Sequence, residues 1–443
     1  KIAIIGGGSS TFVPKLMASI IQSDNFSDSV VTLMDINEQR MEVMDTLSKK
    51  MIEEKNSDVT VESTTDRREA LKDADFVIIT ISVGGFEAWE KDIEIPAKYG
   101  IYMPIADSVG PGGMMRAFRH IPVMVNLCKE LEELSPEATV FNYSNPVTSC
   151  SMAMTRKTSI ENIGLCSCSA IPKNGEFMSK KTENDDIDAE DIVTPGFVGG
   201  LNHCTGITIM ETKDGRDVLE MIKNNTSDRM YNFALKYYGV FPYCGNHWSE
   251  FFPQFCYLKD EYEGKLQGLE MDFGASWEFK VHDMEKERKR VKKWDNLAKE
   301  FTEGEKNIDS LDVLPGGEKI EVIEIMESIM NNTNNIHIVN TLNRGAISNL
   351  PDDSIVEVAS VVGQYGIKPI VVGDLNESYA AVLKKHIRTQ ELTVEAAISG
   401  DRDIALEAFL HDPVTSSRLS LKETEELLDE LLEAHSDSLE LFN

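Results

Sequence analysis

A glycine triplet directly after the first apolar run constrains the fold of this chain more than any other feature. Residues 2–5 form an apolar, β-branched run, and the glycines at 6–8 follow it immediately, before a helical pattern begins. Similar short apolar runs recur at residues 30–34, 76–81 and 139–143, with helical periodicity between them. Strands that alternate with helices form parallel, doubly wound sheets. The sequence therefore predicts an α/β protein whose N-terminal part is a Rossmann-like sheet.

The glycine triplet also predicts a dinucleotide site. Gly6 permits a tight turn, Gly8 lets the backbone approach a pyrophosphate, and the helix that follows offers free N–H groups to that anion. Asp35 ends the second apolar run, where a carboxylate can accept both ribose hydroxyls and disfavours a 2′-phosphate, which indicates NAD rather than NADP. A purely structural glycine turn is the alternative. Ser9, Ser10 and Thr11 follow the triplet and would also contact the cofactor, and Thr11 stands where a third glycine is usual.

Two later strand ends carry small polar residues. Ser82 follows the run at 76–81, and Asn145 follows the run at 139–143. Ligands of open α/β sheets bind at the carboxyl ends of the strands, so Asn145 is predicted to meet both cofactor and substrate. A plain turn before Pro146 is the alternative for Asn145.

Composition narrows the class of protein. The 75 acidic and 44 basic side chains give a net charge of −31, which argues against binding to nucleic acid or to anionic membrane surfaces. No apolar run is long enough to span a bilayer, and the opening KIAIIG has no signal-peptide pattern. Seven cysteines, an odd number thinly spread, do not suggest a disulfide framework. We therefore expect a cytoplasmic protein.

The second part of the chain is predicted to be a separate α+β unit. We place an NAD-binding domain at residues 1–165 and a substrate, metal and oligomerisation domain at residues 166–443. Helical periodicity dominates from residue 218 onward, and residues 423–442 form an acidic amphipathic pattern with leucines at helical spacing. Packing in the core or in an oligomer explains that pattern, so a homodimer or homotetramer is expected.

A cysteine and a histidine are the candidate metal ligands. Cys166 follows another apolar run, and His203 lies in the segment GGLNHC. A thiolate and an imidazole brought together can hold a divalent ion and leave positions open for substrate oxygens. Their spacing alone does not separate this hypothesis from a small buried cysteine and a histidine bonded within the core.

Several motifs together resemble glycoside hydrolase family 4, the NAD- and metal-dependent glycosidases. The chain carries them in the family's order, at residues 6–12, 107–116 (DSVGPGGMMR), 142–146, 164–166, 200–203, 245–253 (GNHWSEFFP) and 343–352 (NRGAISNLPD). The resemblance implies a Rossmann domain related to lactate and malate dehydrogenases, with a second domain closing over the sugar. It also implies that Cys166 and His203 ligate Mn(II) or a similar ion.

The resemblance further implies a mechanism that departs from the usual pair of carboxylates. Bound NAD oxidises C3 of the sugar transiently, a base removes the C2 proton, the C1 group leaves by elimination, water adds, and the hydride returns. His247 aligns with the position of the family's base, with Tyr243 and Asp260 as runners-up. Ser167 stands where the family usually has Asp, Asn or His after the cysteine, so Cys168, water or a good leaving group must compensate.

The branch of the family that hydrolyses α-galacturonides and α-glucuronides is the most similar at residues 245–253 and 343–352. We therefore expect hydrolysis of small α-glycosides, particularly uronosides, and a local cation for the uronate carboxylate. The candidates are Arg116, Arg119 and Arg344, with structural ion pairing as the alternative. The residues expected to contact the sugar are Arg116, Asn145, Asn202, Glu250 and Arg344.

Two other functions remain open from the sequence. An NAD-dependent hydroxy-acid dehydrogenase of the same fold would need a Gly-His-Gly turn, and the chain has none. A non-catalytic NAD-binding regulator is made plausible by Ser167.

Overall fold

The computed structural model describes most of the chain. The described residues are 1–103, 105–184, 186–256, 269–270, 278–279, 288–289, 291–294, 296–297, 300, 303 and 320–442. No helix within these ranges combines the length and the apolar character needed to cross a membrane.

The first six strands form a parallel sheet in the order β3-β2-β1-β4-β5-β6. The chain adds strands outward from β1 to β3 on one side and from β4 to β6 on the other. The topological switch point therefore lies between β1 and β4, where open α/β sheets bind ligands. The strands are β1 (Ile2–Ile5), β2 (Val30–Met34), β3 (Thr60–Thr64), β4 (Phe76–Ile79), β5 (Thr139–Asn142) and β6 (Glu161–Gly164). The connecting helices are α1 (Val13–Ile21), α2 (Glu38–Lys55), α3 (Arg67–Leu71), α4 (Gly85–Lys98), α5 (Gly110–Leu134) and α6 (Val147–Lys157).

The same sheet continues into the second part of the chain with antiparallel strands. The strand at Asn335–Leu342 pairs with β6 through Asn340 and Gly164. The strand at Ile355–Gly363 pairs with Asn335–Leu342 along the whole length of that strand. The strands are β7 (Phe197–Leu201), β8 (Cys204–Ile209), β9 (Phe241–Pro242), β12 (Asn335–Leu342), β13 (Ile355–Gly363) and β14 (Gly366–Pro369), while β10 (Leu269–Glu270) and β11 (Glu278–Phe279) form a separate pair. The order beyond β6 is β12-β13-β7-β8-β9.

Nine further helices cover this second part within the described residues. They are α7 (Gly175–Lys181), α8 (Val218–Asn225), α9 (Arg229–Tyr237), α10 (Gly245–Ser249), α11 (Glu321–Asn331), α12 (Glu377–Ser399), α13 (Arg402–His411), α14 (Pro413–Arg418) and α15 (Leu421–Ala434). The acidic leucine-rich tail thus forms a helix that ends at Ala434, earlier than its pattern suggests, and its buried side chains include Leu427, Leu428 and Leu431.

Two hydrophobic clusters lie on opposite faces of the sheet. Ala3 and Ile5 of β1 belong to the larger cluster, while Ile2 and Ile4 belong to the smaller one. Successive side chains of a strand point to opposite faces, so a strand that is apolar throughout must be covered on both sides. The predicted α/β class is confirmed. The prediction of helices from residue 218 onward is wrong for β12 and β13, whose β-branched runs pair with each other.

Candidate active site

The glycine turn after β1 is a close backbone approach that only glycine permits. Gly6 has φ +96°, and a Cβ added to it would lie 2.8 Å from the Thr80 carbonyl carbon after β4. The N–H groups of Gly6 and Gly7 both donate to the Met34 carbonyl oxygen, at 2.9 and 2.7 Å. The turn therefore lies in the crevice between β1 and β4, with its backbone fixed to β2.

Asp35 is bound to the same turn. Its Oδ2 accepts from the Gly8 N–H at 2.9 Å, and its Oδ1 accepts from the Asn37 N–H at 2.9 Å. A carboxylate held in this way at the end of β2 retains further lone pairs for ribose hydroxyls. The predicted contact residues Ser9, Ser10 and Thr11 form the turn that leads into α1, which begins at Val13.

A chain of polar contacts links the ends of β4 and β5 to the loop before α5. Arg116 donates from Nη2 to Ser82 Oγ and from Nε to the Asn145 carbonyl oxygen, both at 3.3 Å. Asn145 in turn donates from Nδ2 to Asp107 Oδ2 at 2.7 Å. The structure thus brings together Ser82, Asn145 and Arg116, which were chosen from three separate segments, and adds Asp107 to them.

Asp107 is part of a carboxylate–imidazole group with His203 and His247. One ligand atom from each of the three lies within 4.8 Å of the others. The two imidazole rings stack with centroids 3.8 Å apart, and His247 Nε2 lies 4.0 Å from Asp107 Oδ1. His203 occupies the turn between β7 and β8 with φ +67°, and its Nδ1 lies 2.8 Å from Ser108 Oγ. We call Asp107, His203 and His247 the imidazole group.

The electrostatics of the imidazole group favour an ionised Asp107 carboxylate and a neutral His203 ring. Burial alone would raise the pKa of Asp107, but the imidazoles of His247 and His203 and the guanidinium of Arg116 lower it to about 2. Burial lowers the pKa of His203 to about 3, and the neighbouring His247 adds to this. A neutral imidazole and a carboxylate are the protonation states that bind metal ions.

Three cysteine sulfurs form a second donor group, the thiol group, made of Cys166, Cys168 and Cys244. The three Sγ atoms lie within 4.8 Å of one another, with Cys166 and Cys244 3.9 Å apart. Hydrogen bonds from the Cys166 and Cys244 thiols lower the pKa of Cys168. The backbone N–H of His247 donates to the Cys244 carbonyl oxygen at 3.1 Å. The thiol group therefore neighbours the imidazole group, and the predicted ligands Cys166 and His203 belong one to each.

Ser167 lies between two members of the thiol group but is itself exposed. Cys168 is the residue of this segment that turns toward the other sulfurs, because the 3₁₀ turn at Ser167–Lys173 directs its backbone N–H to Cys166 Sγ at 3.4 Å. The departure from the family pattern at Ser167 therefore coincides with a cysteine one position later.

Glu250 supports the loop that carries Asp107. Its Oε1 accepts from the backbone N–H groups of Ile105 and Ala106, at 2.7 and 3.0 Å. The side chain is fully buried, and this burial raises the pKa of Glu250 to about 8. Glu250 thus holds the 105–106 segment, and its predicted contact with a sugar stays a prediction.

Asn202 donates a hydrogen bond to a second buried acid, Glu357. Its Nδ2 donates to Glu357 Oε2 at 3.5 Å, and burial raises the pKa of Glu357 to about 8. Glu357 pairs with Gly200 across β13 and β7, so it lies beneath the turn that holds His203.

Arg344, Tyr243 and Asp260 were also predicted from the sequence. Arg344 is exposed, and its backbone N–H donates to the Asp352 carbonyl oxygen at 3.0 Å. Tyr243 is buried, and this burial raises the pKa of its hydroxyl well above the usual range, which disfavours it as a base. Asp260 lies outside the described residues.

The structure adds Asp107, Cys244 and Glu357 to the residues chosen from sequence. Asp107 opens the DSVGPGGMMR motif, so its position directly before a glycine-rich helix start was an available signal. Cys244 directly precedes GNHWSEFFP. Glu357 lies within a β-branched strand and carries no local signal, because only strand pairing places it beside Asn202.

Comparison with known proteins identifies relatives along nearly the whole chain. The family 4 glycosyl hydrolase model matches residues 1–181, and the model of that family's C-terminal domain matches residues 198–415. A probable 6-phospho-beta-glucosidase of Bacillus subtilis (strain 168) is 33% identical, covering 100% of this chain and 98% of its own. An alpha-galacturonidase of Lachnoclostridium phytofermentans is 29% identical, covering 98% and 95%.

Solved structures share the fold. A 6-phospho-alpha-glucosidase from gut microorganisms, solved in complex with NAD and Mn²⁺, superposes with a TM-score of 0.80 at 22% identity, covering 99% of this chain and 98% of that one. At that identity the likeness concerns the arrangement of strands and helices.

Proposed function

Because the chain belongs to family 4 of the glycosyl hydrolases, we propose that it hydrolyses small α-glycosides, particularly uronosides, with NAD and a divalent metal such as Mn(II). The observation that carries the proposal is the meeting of a dinucleotide turn with a carboxylate, two imidazoles and three thiols in one region of the sheet. A glycosidase built on two carboxylates has no use for such a donor set.

The residues of the site fit both NAD and a divalent metal ion. Gly6, Gly8 and Asp35 would hold NAD, and Cys166 and His203 would hold the metal together with their neighbouring donors. When bound, NAD supplies a reversible hydride acceptor and the cation supplies a Lewis acid for sugar oxygens.

His247 is the proposed base that takes the proton at C2 of the sugar. Its side chain is 22% exposed, unlike Tyr243, and its Nε2 faces the Asp107 carboxylate at 4.0 Å. That carboxylate stabilises the imidazolium formed on proton uptake, and an imidazole exchanges protons readily near neutral pH. Asn145 fixes the Asp107 carboxylate through its amide, and Glu250 positions the loop from behind.

Arg116 is the proposed partner of a uronate carboxylate. Arg119 is committed to a buried ion pair with Asp92, and Arg344 is exposed. Among the described residues, Arg116 donates to the uncharged groups of Ser82 and Asn145 while its guanidinium lies 5.5 Å from the Trp89 ring centroid. A guanidinium beside the strand ends can bind a carboxylate with two parallel hydrogen bonds.

The deciding experiment is hydrolysis of a panel of aryl α- and β-glycosides, with uronosides, neutral sugars and 6-phosphates, each with and without NAD⁺ and Mn(II). We expect turnover of α-uronosides that needs both additions, with no net NADH and with solvent deuterium entering C2. Activity that persists after removal of NAD⁺ and metal would refute the mechanism. Stoichiometric NADH would indicate a dehydrogenase, and NAD binding without any turnover would indicate a regulator.

The remaining assignments belong to the same proposal. We place the protein in the cytoplasm, supported by seven free cysteines, since thiols persist in reducing compartments. We also propose a homodimer or homotetramer, and the net charge of −31 supports the absence of nucleic-acid and membrane partners. A boundary at residues 165/166 agrees with the end of the parallel strands at Gly164.

A further inference from the structure

The thiol group contains more sulfur than a Cys166–His203 metal site requires. Its members come from two distant segments, Cys166 and Cys168 after β6 and Cys244 after β9. Cys166 and Cys244 are buried, and Cys168 is half-buried. Strand pairing across the sheet and the start of α10 are both needed to bring them within 4.8 Å of one another.

Packing alone does not account for this grouping. Buried cysteines used as small apolar residues need no contact with one another, and Cys128 shows that case in the core of α5. In the thiol group, by contrast, the backbone N–H of Cys168 donates to Cys166 Sγ at 3.4 Å. Backbone N–H groups that donate to sulfur stabilise the negative charge of a thiolate ligand.

We propose that Cys166, Cys168 and Cys244 bind one soft divalent cation, of the zinc or ferrous class, through three sulfur atoms. Three protein ligands leave a fourth position open, as in catalytic zinc sites. Thiolates favour soft ions, and Mn²⁺ stands lowest in affinity among the first-row divalent ions, so zinc or cobalt displaces manganese from this site. The proposal refines the metal assignment made under the proposed function: Cys166 binds the cation with Cys168 and Cys244, and His203 stays with the imidazole group. It does not require that the chain hydrolyse a glycoside.

The test uses Co(II) as the probe, added under anaerobic conditions to the full chain after removal of metals with a chelator. We expect one equivalent of Co(II) to produce the near-ultraviolet sulfur-to-cobalt charge-transfer band. One equivalent of Zn(II) should abolish the band, whereas Mn(II) should need at least about a tenfold excess.

Cysteine variants then show how many sulfur atoms bind the cobalt ion. Cys168→Ser and Cys244→Ser should each lower the band intensity by about one third, because one of three sulfur donors is removed. Cys128→Ala, a matched buried cysteine in α5, should leave the band unchanged. NAD binding by each variant shows that the chain remains folded. If a serine variant fails to fold, the same band is read on Cys168→Ala and Cys244→Ala.

A band of unchanged intensity in the folded Cys168 and Cys244 variants would overturn the proposal, as would the absence of any sulfur–cobalt band. These outcomes are distinguishable from failure of the proposed function. If the wild-type chain gives no sulfur–cobalt band but still shows Mn-dependent hydrolysis, the three-sulfur site alone is refuted. A band with three sulfurs and no hydrolysis of any glycoside refutes the proposed function alone.

Discussion

Single residues at the site differ in how freely they exchange protons with solvent. The His247 side chain is 22% exposed, whereas Tyr243 and Glu250 are buried and have raised pKa values. A base must lose and regain its proton in each turnover, which requires a pKa near the working pH and access to the substrate. Of the described candidates for the base, only His247 has a side chain that is partly exposed.

Replacement of this imidazole tests the assignment. His247→Gln should lower kcat on the best glycoside by roughly 10²–10⁴-fold, the usual contribution of a general base, with NAD affinity unchanged. Steady-state kinetics and a NAD titration measure the two effects. The control is His411→Gln, an exposed histidine in α13. Wild-type kcat in the His247 variant would remove this residue from the mechanism.

The proposed role of Asp35 in NAD binding can be measured separately from its role in holding the Gly8 turn. Asp35→Asn should weaken NAD binding by about 1.5–3 kcal/mol, because a hydrogen bond to a charged acceptor is lost at the ribose. A fluorescence titration with NAD measures the change in Kd. Glu42→Gln on the exposed face of α2 serves as control. A lower melting temperature without any change in Kd would mean that Asp35 only holds the Gly8 turn.

At the level of elements, the site is built at the ends of strands by loops that other elements hold in place. The loop before α5 carries Asp107, and Glu250 at the end of α10 fixes that loop through two backbone hydrogen bonds. The turn between β7 and β8 carries His203, above Glu357 of β13. Each catalytic candidate therefore depends on an acid that is buried behind its loop.

The buried acid of Glu250 predicts how stability depends on pH. Its folded pKa, about 8, lies above the ordinary value of 4.5, so the fold favours the protonated form. Its contribution to stability is full below pH 4.5 and is lost as the pH rises through about 8. Denaturation at pH 6 and 8.5 should show wild-type stability falling by more than about 1 kcal/mol.

Glu250→Gln imitates the protonated acid, so it should flatten this dependence. Glu357, whose pKa is also about 8, contributes equally to both proteins and cancels in the comparison. Glu395→Gln on the exposed face of α12 should retain the wild-type slope. Equal slopes in the wild type and in Glu250→Gln would show that Glu250 is ionised in the folded protein.

At the scale of the whole molecule, a buried charged network ties the C-terminal segment to the N-terminal half. Arg119 of α5 pairs with both oxygens of Asp92 in α4, at 3.0 and 2.5 Å. His435, directly after α15, approaches Asp92 Oδ1 at 3.0 Å. All three side chains are almost fully buried. The acidic helical tail is therefore anchored to the dinucleotide-binding half of the chain.

Removal of the Arg119 side chain should lower the free energy of unfolding. Arg119→Ala leaves Asp92 buried without its guanidinium, and breaking such a pair destabilises a protein by about 3–5 kcal/mol. Arg402→Ala removes an exposed pair with Asp429 and should cost less than about 1 kcal/mol. Chemical denaturation measures both. Similar values for the two variants would contradict the structural role given to Arg119.

Local pattern identified each strand of the parallel sheet except β3, whose position at the sheet edge leaves most of its residues exposed. The runs at residues 2–5 and 30–34 match β1 and β2 residue for residue, because a fully buried strand is apolar throughout and ends at glycine or a polar residue. The glycine triplet and Asp35 were likewise recognisable, since the Gly8–Asp35 bond joins the ends of neighbouring strands.

The sequence by itself determined the family, the α/β class and the residue types available for chemistry, since these depend on local periodicity and on short motifs. Only the tertiary structure decided which of those residues meet. Cys244 joins Cys166 and Cys168, and His247 stacks on His203, because antiparallel strands fold the second half of the chain back against the ends of the parallel ones. Contacts between residues so distant in the chain depend on strand order and register, which single residues do not encode.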